Sequence, residues 1–132
     1  MGVAMSPHKR LLLLLLLMAP LGGCIAAVAV GAAAVYGGTK YDSNEMSQEY
    51  RANLDETWHA TVAELGEMGY PVQQGTKPGP NEGKVEISDV VLRVEKLADE
   101  RTQVRVRFGT FDTEDHRRKG RLLLQGIANR IP

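Results

Sequence analysis

The chain has 132 residues, 16 basic and 16 acidic side chains, and a single cysteine. That length fits one small domain. One thiol excludes an internal disulfide and a multi-cysteine zinc site, and zero formal net charge gives no electrostatic case for a nucleic-acid partner.

The charge is unevenly spread. Up to residue 38 it is confined to His8, Lys9 and Arg10, and the rest lies downstream. The charge-rich part, about 90 residues, can fold alone around a small core. Lys9 and Arg10 form a short positive region, and Leu11–Ala19 is an apolar run of nine residues. A positive stretch followed by such a run has the form of a secretory signal, with its basic end kept in the cytoplasm.

Leu21-Gly22-Gly23-Cys24 follows the run and resembles the lipobox of bacterial lipoproteins. A leucine stands three residues before the cysteine, and small residues fill the two positions between. A peptidase that grips the backbone closely suits Gly22 and Gly23. The resemblance implies cleavage before Cys24, a diacylglycerol on its thiol and an acyl group on the freed amine. Each buried CH₂ contributes about 0.8 kcal/mol, so several chains hold a protein to a bilayer. The competing topology is an uncleaved single span, because Leu11–Tyr36 carries no charge and is long enough to cross a bilayer. Cleavage removes Lys9 and Arg10, leaving 14 bases against 16 acids, a net of −2. Ile25 stands where inner-membrane lipoproteins carry an aspartate, which leans towards the outer membrane, facing the periplasm, in a Gram-negative host.

Residues 25–38 are small and apolar. They read either as a tether near the lipid surface or as a helix packing through Ala and Gly faces. The expected organisation is a signal peptide over 1–23, a lipidated Cys24 with Gly/Ala-rich tether over 24–43, and a domain over 44–132.

Within the domain, Glu45–Arg51 is read as a strand, with Met46, Gln48 and Tyr50 on one face. Asn53 and Glu56 make a capping box, and Asp55 and Glu56 suit the positive end of a helix dipole. Leu54, Trp58, Val62, Leu65 and Met68 then form one apolar stripe, closed by Gly69 and Pro71. Tyr70–Gln73 is a short strand candidate, and 75–83 is a loop rich in Gly and Pro.

Val85 and Ile87 are apolar at odd positions, and Val90, Leu92 and Val94 at even ones. The change of phase calls for a turn or a bulge at Ser88-Asp89, and two strands joined by a turn are favoured. Thr102–Phe108 alternates clearly, with Val104, Val106 and Phe108 inward and Gln103, Arg105 and Arg107 outward. Asp112 or Thr113 caps a second helix that buries Leu123, Leu124, Ile127 and Ile131 and shows Arg117, Arg118, Lys119 and Arg121. The expected order is β-α-β-β-β-β-α, an α+β fold with two helices on a small antiparallel sheet.

Trp58-His59-Ala60-Thr61, Leu65-Gly66, Gly69-Tyr70, Gly83-Lys84-Val85 and the run Thr102–Phe111, together with the lipobox and Gly/Ala stretch, resemble an uncharacterised bacterial lipoprotein family, domain-of-unknown-function family 3568. The resemblance covers most of the chain and implies a location and a fold, but no activity.

No nucleophile–base pair, metal cluster or phosphate loop stands out. Glu56 and Glu64 are not spaced to face His59. His116 sits in a capped first turn, Thr57, Thr61 and Ser88 lack an activating base, and the glycines at 75, 79 and 83 do not lead into a helix. The expectation is therefore a non-enzymatic envelope lipoprotein without metal or cofactor. Its anchor is the membrane, through Cys24. The candidate binding face is Arg105, Arg107, Arg117 and Arg118, for an envelope protein or an anionic lipid. An envelope hydrolase with an unrecognised site is the alternative.

Overall fold

The computed structural model describes Ala34–Pro132. The lipobox residues Leu21, Gly22 and Gly23, the lipidation candidate Cys24, and the question of helix or tether over 25–33 lie outside the described residues. The elements are β1 (Val35–Asp42), β2 (Glu45–Tyr50), α1 (Leu54–Glu67), β3 (Glu82–Ile87), β4 (Val90–Ala98), β5 (Arg101–Phe108) and α2 (Glu114–Arg130). All neighbouring strands pair antiparallel, in the order β1-β2-β5-β4-β3. The fold is α+β, as expected, but the order is β-β-α-β-β-β-α rather than β-α-β-β-β-β-α.

Two segments account for the difference. Val35–Asp42, read as the end of the tether, is an edge strand that pairs with β2. Nearly all of it is exposed, so no alternation of apolar residues marks it in the sequence. The turn that joins it to β2 is Ser43-Asn44, both at positive φ (43° and 71°), the backbone of a two-residue hairpin. The second segment, Tyr70–Gln73, is not a strand. Tyr70 N–H donates to Leu65 O at 2.8 Å and Gly69 N–H to Gly66 O at 3.2 Å, with Gly69 at φ 89°. This is a Schellman closure of α1. It uses the donor of Tyr70, and Pro71 has none, so the segment has little to offer a ladder.

The other local signals take the form their chemistry dictates. Asn53 Oδ1 accepts from Glu56 N–H at 2.9 Å, and Glu56 Oε2 accepts from Asn53 N–H at 3.4 Å. Thr113, not Asp112, caps α2, its Oγ accepting from His116 N–H at 3.2 Å. Ser88-Asp89 is a two-residue turn with Ile87 opposite Val90, so the apolar phase changes while both strands keep one face inward.

Both helices pack on one face of the sheet, α1 against β4 and β5, α2 against β5 and β2, and against each other. The core joins Tyr50, Leu65, Leu92, Val94, Val104, Val106, Leu123 and Ile127, all buried. Tyr50 Oη donates to Leu124 O at 2.7 Å, and Thr102 Oγ to Ala52 O at 2.8 Å, so the buried hydroxyls are satisfied. Glycines decide two close approaches. Gly83 on β3 lies under the Trp58 ring, where a Cβ would overlap the indole. Gly126 on α2 leaves room for the Glu64 carboxylate, whose Oε2 accepts from Arg130 Nε at 2.9 Å.

Candidate functional site

Among the described residues no helix covers the other face of the sheet, and its side chains fall into rows set by strand register. Lys84 stands opposite Arg93, Arg93 opposite Arg105, Arg105 opposite Ser47, and Ser47 opposite Lys40. Four cations thus share one cross-strand row, with Arg107 two residues along β5 from Arg105. Like charges directly opposite one another oppose pairing, by up to about 1 kcal/mol per pair. A neighbouring row runs Glu82, Glu95, Gln103, Glu49. Lys84 pairs with Glu86 (2.5 Å) and Arg105 reaches Glu95 (3.7 Å). Among the described residues, Lys40, Arg93 and Arg107 have no ion pair. Lys84, by its hydrogen bond and charge, with Arg93 and Arg107 further off, holds the Glu86 carboxyl below its ordinary range.

Arg117 and Arg118 do not join this face. They lie on α2, in the helical layer, and the structure separates them from Arg105 and Arg107. The helix cations are neutralised locally. Arg117 meets Asp112 (3.2 Å), Arg118 and Lys119 meet Asp115 (2.6 and 3.2 Å), and Arg121 meets Glu114 (3.1 Å). Lys119 holds the Asp115 carboxyl below its ordinary value, and Asp115 raises Lys119 in return. The sequence places both groups of arginines on outward faces, but pairing and packing put those faces on different layers.

Two further concavities come from the tertiary structure. One is a groove of about 830 Å³ between α1 and the 72–78 loop, with Trp58, Val62 and Val72 along it and Asp55, His59 and Thr76 as polar groups. His59 Nδ1 lies 2.7 Å from Asp55 O in its own helix. His116 Nδ1 is likewise 2.8 Å from Phe111 O. The hydroxyls of Thr57 and Thr61 donate to carbonyls one turn back, at 2.9 and 2.7 Å.

The other is a concavity of about 180 Å³ beside a bulge in β1, lined by Tyr36, Gly37, Gly38, Lys40, Ser47 and Arg101 among others. In the sequence Gly37-Gly38 falls within the expected Gly/Ala-rich tether, and a bulge shows only once β1 is paired.

Among the described residues, no helix is long and apolar enough to cross a membrane, and no three His, Cys, Asp or Glu side chains group to hold a metal ion. Comparison with curated proteins finds no match. Residues 9–129 match the family described as Protein of unknown function (DUF3568), a span that takes in the leucine run, the Leu21–Cys24 segment and nearly the whole folded domain. The chain belongs to this family, whose description assigns it no activity.

Proposed function

We propose that this protein is a bacterial envelope lipoprotein, cut before Cys24 and held by acyl chains on that cysteine, most naturally at the periplasmic face of the outer membrane. One observation carries the reading: Lys9-Arg10, a nine-residue apolar run and Leu21-Gly22-Gly23-Cys24 follow one another in the order that export, cleavage and acylation need. The domain that follows is a non-enzymatic binding or structural module. Its open sheet face, with Arg105, Arg107 and the row from Lys84 to Lys40, is the surface for an envelope protein or an anionic lipid. Both described histidines place Nδ1 against backbone carbonyls, and Thr57 and Thr61 donate to their own helix, which supports structural use of these groups.

Intact mass of the protein from membranes tests the anchor. The expected chain lacks residues 1–23 and carries acyl chains, and Cys24→Ser loses both changes. A full-length, unacylated wild-type chain would establish the single-span topology instead.

A hydrolase is favoured by one feature, the α1–loop groove with Asp55, His59 and Thr76 on an apolar lining. Turnover of ester, amide or glycoside probes by the full chain, lost in His59→Ala, would establish that reading. No turnover in either chain supports the binding module.

A further inference from the structure

The β1 bulge has features that an ordinary edge strand does not need. Between the pairs Tyr36↔Glu49 and Lys40↔Ser47, β1 advances by more residues than β2. Gly37 sits at φ 70° within the excess. Gln48, 5% exposed, ties the bulge down. Its Nε2 donates to Glu49 O at 3.1 Å and, more weakly, to Tyr36 O and Gly37 O at 3.4 Å, while its Oε1 accepts from Thr39 Oγ at 2.9 Å. A buried amide that bonds both sides of a bulge holds the concavity in a fixed shape. A Cβ added to Gly37 or Gly38 would meet nothing within 4 Å, so the space beside them is open.

The charge around this space is positive. Lys40 lines it and has no ion pair among the described residues. Arg101 lines it too, oriented by Glu49 Oε2 through Nε at 2.8 Å and Nη2 at 2.5 Å. The guanidinium groups of Arg101 and Arg51 each lie 4.5 Å from the centre of the Tyr36 ring. Arg51 also has no ion pair among the described residues. Two cations, Lys40 and Arg101, thus line the space with one carboxylate, Glu49, and Arg51 lies against its Tyr36 wall. Arg105, directly across from Ser47 on the neighbouring strand, adds to the field.

We propose that the concavity binds a phosphate group, carried by a lipid headgroup or by a small phosphate ester. The volume of about 180 Å³ equals roughly six waters at about 30 Å³ each, enough for a phosphate and a few attached atoms. An ammonium, a guanidinium held by its own carboxylate and the Ser47 hydroxyl offer donors of the kind that phosphate oxygens accept. The anion site stands on these residues alone. A lipid as its source rests on the anchoring reading, since nine residues, 25–33, stand between Cys24 and Ala34, where the described chain begins.

The test is an amide NMR titration of the ¹⁵N-labelled full chain in dodecyl maltoside at constant ionic strength. The probes are inorganic phosphate, dihexanoyl-phosphatidylglycerol and, as the phosphate-free comparison, dihexanoylglycerol. Saturable shifts at Gly37, Gly38 and Ser47 are expected with both phosphate-bearing probes and not with dihexanoylglycerol. Lys40→Glu, which reverses a charge, and Gly38→Leu, which fills the space, are each expected to weaken binding by about tenfold or more. Arg121→Glu, a charge reversal of the same size on α2 in the helical layer, is expected to leave it unchanged. Tighter binding of the lipid than of phosphate identifies a headgroup site, and equal binding identifies a soluble phosphate. Absence of saturable shifts with phosphate, or equal loss in Arg121→Glu and Lys40→Glu, overturns the proposal. The phosphate arm is repeated on Cys24→Ser: an unacylated chain is expected to bind as well, so failure of the anchor leaves this site testable by itself.

Discussion

Replacing Gly83 by alanine sets a strand preference against a packing limit. Gly83 is buried on β3, and no positive φ there requires glycine, so backbone considerations alone favour alanine. The tertiary structure opposes it. An added Cβ would overlap Trp58 Cζ3 and lie 2.6 Å from Cε3 and 3.0 Å from Pro78 Cβ. Trp58 is 3% exposed, so its ring has little free room. Forced overpacking costs about 1–3 kcal/mol, and the stiffer unfolded chain returns about 0.4–1 kcal/mol, so Gly83→Ala is expected to lose roughly 1–2 kcal/mol. The cause can be isolated in a double-mutant cycle. With Trp58→Leu the obstacle is gone, and Gly83→Ala is then expected to be neutral or slightly stabilising, a coupling of roughly 1–2 kcal/mol. Urea unfolding followed by far-UV circular dichroism reads all four chains without depending on the lone tryptophan. A higher midpoint for Gly83→Ala in the wild-type background would refute the reasoning. So would an equal loss in both backgrounds, because the contact with Trp58 would then play no part.

Tyr50→Phe removes a buried donor from Leu124 O and is expected to cost about 1 kcal/mol, read as a lower urea midpoint at unchanged slope. The same hydroxyl predicts an alkaline effect: burial holds its pKa above the ordinary 10.0, so the folded state keeps a proton that the unfolded chain releases. This contribution is fully present below about pH 10 and falls as pH rises above it, and Tyr50→Phe should flatten that decline; equal slopes in both chains would count against it. Charge reversal at both Arg105 and Arg107 is expected to reduce partner capture by crosslinking in intact membranes, with the fold retained by circular dichroism. Unchanged yields from a folded variant would remove the open sheet face as the contact surface.

The features legible in the sequence are those whose causes are local. The capping box at Asn53 and Glu56 acts within one helical turn, the stripe from Leu54 to Met68 within one helix, and the alternation of Val104, Val106 and Phe108 within one strand. Each is set by dihedral period or by a hydrogen bond between near neighbours, so spacing reveals it. The Ser88-Asp89 turn is legible for the same reason, because a change of apolar phase has few local solutions. The Lys9–Cys24 segment is also a purely local pattern, and the anchoring proposal draws on nothing else.

Tertiary structure decided the rest. β1 exists because β2 offers it a backbone ladder, and its exposed side chains leave no period to read. Register alone aligns Lys84, Arg93 and Arg105 on three strands, and helix packing sets Arg117 and Arg118 on another layer. Gly83 shows its purpose only under Trp58, and Gly37-Gly38 only beside Gln48 and Lys40. In each case the deciding neighbour is distant in the chain, and pairing or packing brings it near.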